Sequence, residues 1–209
     1  MVEFASLNQE QAKNKDLKQI YLIRHGATEE NKARVLIGQT DPPLAEESRV
    51  LLKSIRFPIE PEVIYTSPLR RATETASLLF PNQVVTKDSN LVERGFGDFE
   101  GKPIASLSES VIGRTTYAFR DEEALVRNRG EPIEELESRI MRFKKTLMAT
   151  DAQSIAVVSH GTLISHLVRV FFGEVSRRAS PGNIHVVYFR LDKCGNVSDL
   201  RYDVRIDEM

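Results

Sequence analysis

A three-layer α/β/α sandwich with a mostly parallel central sheet is the fold the sequence predicts, on three observations. Short, apolar, β-prone runs alternate with amphipathic segments of helical length. Proline or glycine punctuates most of the junctions between them. Two of the apolar runs end abruptly in Arg-His-Gly or Ser-His-Gly, as buried strands do when they deliver polar residues to one edge of a sheet. A length of 209 residues suits one domain with a developed core. The expected organisation is a polar N-terminal arm over 1–18 and a single domain over 19–209, with a small helical cap at about 102–131.

Gln19 to Ile23 is the first predicted strand and runs directly into Arg24 and His25. Leu44, Val50, Leu51, Leu52 and Ile55 then mark a helix closed by Pro58, and Val63 to Thr66 a second strand. Ser67 followed by Pro68 reads as a helix N-cap with proline in the first turn, ahead of a stripe of Ala72, Ala76, Leu79 and Phe80. Val84 to Thr86 is a third strand, and Gly95, Gly97 and Gly101 mark a tight loop. Pro132 to about Thr150 is amphipathic, with Ile133, Leu136, Ile140, Phe143 and Leu147 on one face. Ser154 to Val158 is the clearest buried strand, followed by an apolar helix over Thr162 to Phe172 that Gly173 stops. Ile184 to Leu191 and Val197 to Val204, joined through Cys194, Gly195 and Asn196, close the sheet.

Composition narrows the function. The 29 Lys and Arg against 30 Asp and Glu leave a net charge of −1, which gives no long-range attraction to nucleic acid or anionic lipid. An anionic ligand must therefore meet a local cluster of cations. One cysteine, Cys194, allows neither an internal disulfide nor a thiolate metal cage. No apolar run approaches the roughly 18 residues of a membrane span, and residues 1–18 lack the apolar stretch of a secretory signal, so a cytoplasmic protein is expected.

The local cluster is visible in the strand ends. His25 and His160 each follow a predicted buried strand, Arg24 adjoins the first, and Arg70 and Arg71 fall at the start of the helix behind Ser67. Guanidinium groups converging with helix N-termini fit a phosphate. Two histidines also suggest a metal, yet neither has an Asp or Glu at usual ligand spacing, so no metal and no cofactor is expected.

The segments RHGATEEN, SPLRRATETA, LVERGFGDFEG and VVSHG, in that order, resemble the histidine phosphatase superfamily, with its phosphoglycerate-mutase-like fold, and its phosphatases in particular. The resemblance spans about residues 19 to 191. It implies that His25 is the nucleophile that becomes a phosphohistidine, that Arg24 and Arg71 grip the phosphoryl oxygens, and that His160 donates to the same group from across the pocket. A neutral imidazole is a competent nucleophile if its other nitrogen donates to a carbonyl. Glu93 matches the general acid and base, with Asp98 and Glu100 in the supporting loop. Asn31 matches a phosphate donor, Thr28 a bond within the same loop, and Asn183 a late polar position near the site. Gly26 and Gly161 follow the two histidines closely, and Glu131 is expected to anchor a catalytic arginine or histidine. Arg70 is left to solvent, and His166 and His185 to packing or surface.

Departures from the family pattern are Ala27 for an acid, Glu30 for an aromatic and Ile37 for a polar residue. The last would give the leaving group an apolar wall. The mutases of the family it resembles carry a long insert between the Glu motif and the second histidine, so the short interval from Glu93 to His160 here implies hydrolysis over transfer, because a small cap excludes water poorly. The cap carries as many basic as acidic residues, and its Tyr117 and Phe119 read as packing groups. The expected activity is a phosphoric monoester hydrolase acting on a small phosphorylated metabolite, as a monomer or homodimer. The alternatives are a phosphoglycerate-mutase-type phosphotransferase and a weakly catalytic phosphate-binding or interaction module.

Overall fold

A computed structural model describes residues 17–108, 121–173 and 183–206. Residues 1–16 of the expected arm, and Tyr117 and Phe119 of the expected cap, lie outside them. The elements in chain order are β1 (Leu17–Arg24), α1 (Glu29–Lys32), α2 (Glu46–Ser54), β2 (Val63–Thr66), α3 (Arg70–Leu79), β3 (Val85–Lys87), α4 (Glu122–Arg127), α5 (Ile133–Ala149), β4 (Ser154–Ser159), α6 (Gly161–Phe172), β5 (His185–Asp192) and β6 (Val197–Arg205). Three 3₁₀ turns, Ser89–Leu91, Gly97–Phe99 and Ile104–Ser106, occupy the glycine-rich stretch after β3.

The sheet has the order β3-β2-β4-β1-β5-β6. Strands β1 to β4 are parallel to one another, β5 runs against β1, and β6 runs against β5. Alternate residues feed two apolar layers, because successive strand side chains point to opposite faces. Ile20, Leu22, Ile155, Val157, Val187 and Phe189 pack under α5 and α6, through Leu136, Ile140, Phe143, Ile164, Leu167 and Val168. Tyr21, Ile23, Ala156, Val158, Val186 and Tyr188 face Leu52 of α2 and Ala72, Ala76 and Leu79 of α3. Burial on both faces explains why these strands read as continuous apolar runs. A smaller cluster of Leu36, Phe96, Phe99, Ile104, Leu107 and Leu125 lies beside the 3₁₀ turns.

Among the boundaries that differ from expectation, two have a visible cause. Leu17 and Lys18 belong to β1, not to a polar arm. The Lys18 ammonium is buried and donates to the carbonyls of Leu147 and Met148 (2.9 Å each) and of Thr150, closing the C-terminal end of α5. The second difference is that Ser67 does not cap α3, whose N-cap is Leu69. The N–H of Arg70 is instead met by Asp41 Oδ1 at 2.5 Å, a carboxylate from the preceding loop, which leaves the Ser67 hydroxyl for another partner.

Candidate active site

Three parallel strands end side by side. Arg24 pairs in register with Ser159, the N–H of His25 continues the ladder to the Ser159 carbonyl (3.0 Å), and the N–H of Ser67 bonds the Val158 carbonyl (3.0 Å). His25, Ser67 and His160 are thereby set at one edge of the sheet by backbone pairing alone. The two imidazole centroids stand 5.0 Å apart at 59°.

His25 is 2% exposed. Its Nδ1 lies 2.7 Å from the Gly26 carbonyl, the geometry of an N–H donating to that oxygen, which leaves the Nε2 lone pair as the acceptor of a 3.2 Å bond from Arg71 Nε. Burial, and then the nearby Arg71 and Arg24 guanidinium groups, hold His25 well below the ordinary imidazole value, against a smaller upward pull from the Gly26 bond. The neutral ring is therefore the stable form. Gly26 has little room for a side chain: a Cβ there would lie 3.1–3.3 Å from Leu52, Leu44 and Ser48. Its N–H donates to Thr75 Oγ1 on α3, so the turn after the histidine is pinned to a second element.

Arg71 is buried, and three of its five N–H donors are bonded within the protein. Besides His25 it donates from Nη1 to the Thr40 carbonyl and from Nη2 to the Gly38 carbonyl, both at 2.7 Å. Desolvation pushes its guanidinium down to about 10, partly opposed by Glu93 and Asp41, so it stays charged at neutral pH. Gly38 is required at its position, since it sits at φ +57° and a Cβ would fall on the Glu100 carboxylate. Arg70 is mostly exposed and pairs with Glu74 at 2.6 Å, as expected of the solvated arginine.

His160 is fully buried. Its Nε2 is 2.8 Å from Ser67 Oγ, while its Nδ1 is buried with no hydrogen-bond partner among the described residues. Burial, followed by Arg71, His25 and Arg24, holds it well below the ordinary value as well. With the Ser67 hydroxyl donating to Nε2, the proton of a neutral ring sits on Nδ1, the nitrogen that lacks a partner.

Glu93 lines the same cavity as His25. Oε1 accepts from the N–H groups of Arg94 (2.9 Å) and Leu163 (3.0 Å), and Oε2 from that of Thr162 (3.2 Å). His160, the N-cap of α6, makes no side-chain cap bond, and Glu93 supplies that function from another segment. Glu93 is not a surface carboxylate paired with Arg94. That arginine is buried, with its guanidinium on Glu122 and on the Glu131 carbonyl.

Asn31 and Thr28 form a reciprocal capping box on α1, each side-chain oxygen accepting the other's backbone N–H at 3.2 Å. The Asn31 oxygen is thus occupied and its NH₂ is the group left for the pocket. Asn183 Nδ2 donates to the His25 carbonyl at 2.9 Å. Glu100 joins the two loops of the site, Oε1 accepting from the N–H groups of Gln39 and Phe96 at 2.9 Å each, and Asp98 pairs with Arg129. Glu131 departs from expectation: it binds neither a catalytic arginine nor a histidine but Arg139 on α5, at 2.7 and 3.0 Å. His185 pairs with Asp203, and His166 is held down to about 3 by burial and by Arg169, away from the site chemistry.

Arg24, His25, Asn31, Arg71, Glu93, Gly161, Thr162 and Asn183 line one cavity of about 220 Å³, together with Arg34, Val35, Leu36, Ile37, Gly38, Phe96 and Ile104. It has a cationic, hydrogen-bonding end and an apolar flank. Among the described residues, no three His, Cys, Asp or Glu side chains gather as a metal site, and no helix is long and apolar enough to cross a membrane. Sequence reasoning missed Ser67 as a partner of His160, and Arg139. The signal for Arg139 is a charged residue on the buried face of α5, three places after Leu136 and four before Phe143.

The family model of the histidine phosphatase superfamily (branch 1) matches residues 20–203. A putative phosphoserine phosphatase 2 of Hydrogenobacter thermophilus is 28% identical over 164 residues, covering 75% of this chain and 80% of that one. A phosphoglycerate mutase of Schizosaccharomyces pombe is 24% identical over 197 residues, covering 84% and 91%. The crystal structure of phosphoglycerate mutase from Bacillus anthracis superposes with a TM-score of 0.76 at 22% identity, over 92% of this chain and 95% of that one.

Proposed function

The chain belongs to the histidine phosphatase superfamily, whose members similar to it are phosphatases and phosphoglycerate mutases, and from that premise we propose that it is a metal-independent phosphomonoesterase. The observation that carries the reading is the pairing of His25 and Glu93 in one cavity. A neutral imidazole with its Nε2 lone pair against the Arg71 guanidinium shares it with a carboxylate that can move a proton.

In the first step the Nε2 lone pair of His25 attacks phosphorus as the P–O bond to the leaving group breaks, and the leaving oxygen takes a proton from Glu93. The phosphoryl oxygens lie against Arg24 and Arg71, with the Asn31 NH₂ and the Nδ1–H of His160 as further donors. Fixed, desolvated cations stabilise charge spread over three equatorial oxygens without reorganising. In the second step water attacks phosphorus, Glu93 takes its proton, the N–P bond breaks with its electrons returning to Nε2, and inorganic phosphate leaves. The substrate is a small phosphorylated metabolite, and Ile37, Phe96 and Ile104 offer its leaving group contact area in place of hydrogen bonds.

The test is phosphate release, with EDTA present throughout, from an activated aryl phosphate and a metabolite panel including phosphoserine and the phosphoglycerates, which the relatives' names suggest. His25→Ala is assayed in parallel, and the protein is quenched at alkaline pH for a phosphoryl adduct on His25. Turnover and adduct that both vanish in His25→Ala are expected. Activity that EDTA abolishes and Mg²⁺ restores would overturn the scheme. Interconversion of phosphoglycerates without release would replace it with the mutase reading, and ester binding without turnover with a binding module.

A further inference from the structure

Glu93 stands between the 3₁₀ turns Ser89–Leu91 and Gly97–Phe99, in no helix or strand of its own; its carboxylate is met by the first-turn N–H groups of α6, but its backbone has no ladder to fix it. Proton transfer is sensitive to placement: the carboxyl must come within about 2.6–3.2 Å of the leaving oxygen, and an error of about 1 Å can cost on the order of 10²-fold. Something outside the local backbone must supply that accuracy.

Arg139 reaches this stretch from the buried face of α5. Its Nη1 donates to the carbonyls of Asn90 (2.8 Å) and Val92 (2.5 Å), immediately before Glu93. Its other edge forms a fork with Glu131, Nε to Oε1 at 2.7 Å and Nη2 to Oε2 at 3.0 Å. Glu131 then takes hold of the chain just after Glu93: Oε2 accepts from the Gly95 N–H at 3.2 Å, and the Glu131 N–H donates to the Gly95 carbonyl at 2.8 Å. One nearly buried ion pair thus grips both sides of the residue that carries the carboxylate. Replacing such a pair by apolar groups of similar volume is often neutral or stabilising, so stability alone is a poor reason for its presence.

We propose that Arg139, braced by Glu131, is a positioning residue that sets Glu93 at the leaving-group oxygen. The inference rests on the reading of Glu93 as general acid. Its signature is dependence on the leaving group, because an ester whose alkoxide departs easily needs little proton donation.

The test compares kcat for para-nitrophenyl phosphate with kcat for glycerol phosphate in the full chain, for wild type, Glu93→Gln, Arg139→Lys, Glu131→Gln and the Glu93→Gln/Arg139→Lys double variant. Lysine keeps the charge but lacks the fork. The expected result is a loss of about 10- to 100-fold on glycerol phosphate in Arg139→Lys, a much smaller loss on the aryl ester, and a double variant no worse than Glu93→Gln alone. Equal losses on both esters, or additive losses in the double variant, would overturn it. If Glu93→Gln itself shows no leaving-group dependence, the general-acid reading falls and the positioning role with it. A leaving-group-dependent Glu93→Gln beside an indifferent Arg139→Lys sinks only the positioning role. Should Arg139→Lys not fold, Glu131→Gln, which keeps an acceptor for the Gly95 N–H, decides by the same ratio.

Discussion

The two ends of the cavity are built by different means. At the proposed phosphate end, Arg24 and His25 line the cavity; with Ser67 and His160 they leave the ends of three paired parallel strands, and the ladder that forms the sheet also fixes their spacing. At the leaving-group end, Glu93 sits among 3₁₀ turns, held by bonds from side chains of distant segments: Gln39 on its carbonyl, Ser159 on the Leu91 carbonyl, Arg139 and Glu131 on its flanks. A strand end costs nothing further to specify once the sheet forms. A loop of this kind has to be specified contact by contact, and can change without disturbing the sheet, as suits a family whose members act on different esters.

Breaking the phosphate end should therefore affect every ester alike. His25→Ala is expected to reduce phosphate release by at least about 10³-fold across the whole panel, since it removes the proposed nucleophile. A residual rate within tenfold of wild type would show that the strand-end histidine is not the nucleophile. Arg71→Gln should cost about 10²- to 10³-fold, equally for good and poor leaving groups, because its guanidinium faces the phosphoryl end. A loss confined to poor leaving groups would place Arg71 functionally with Glu93 and dissolve the division.

The same end sets the pH behaviour. With its ring held well below 6.5 by burial and by Arg71 and Arg24, His25 stays neutral as the pH falls through 6.5, so it should add no acid limb to kcat/KM beyond the ionisation of the phosphate ester itself, which lies at about 6. Arg71→Gln removes one of those causes, and the acid limb should move to higher pH. Stability follows the opposite slope. Unfolded histidines take up protons near 6.5, whereas His25, His160 and His166, the last held down to about 3, resist them in the folded protein. The unfolded state then binds more protons between about 3 and 6.5, and the urea midpoint should fall as the pH is lowered through that window. A midpoint that stays level from pH 7 to 4 would show that these rings are not buried in the neutral form.

This division also governs what the sequence made legible. Strands buried on both faces write themselves as apolar runs, so β1, β2 and β4, and with them Arg24, His25 and His160, could be placed within a residue or two. Glu93 was singled out through motif resemblance, and Arg71 was chosen over Arg70 in the same way, since nothing periodic marks either. The braces were missed because their partners are remote and mostly backbone: Arg139 and the Val92 carbonyl are 47 residues apart, and Arg94 and Glu122 are 28 apart. The start of α3 was misplaced for a similar reason, since the carboxylate that meets its first N–H comes from Asp41, 29 residues earlier. Side-chain bonds to distant carbonyls leave no spacing to read.

The smallest effect belongs to the apolar flank. Ile37 is almost fully buried and lines the cavity with Phe96 and Ile104, on the segment that the Val35–Pro103 bridge ties to the turn carrying Ile104. Ile37→Thr keeps the branch at Cβ but replaces the ethyl group by a smaller hydroxyl that can pair with a leaving-group oxygen. Discrimination by such a pocket is worth only about 1–3 kcal/mol. KM for esters with hydroxylated leaving groups should fall by less than about tenfold, KM for aryl and alkyl phosphates should rise by a similar factor, and kcat should change little for either. A change in kcat that is uniform across substrates would mean that Ile37 acts through the neighbouring Gly38 and Arg71, and that the phosphate and leaving-group ends are mechanically one.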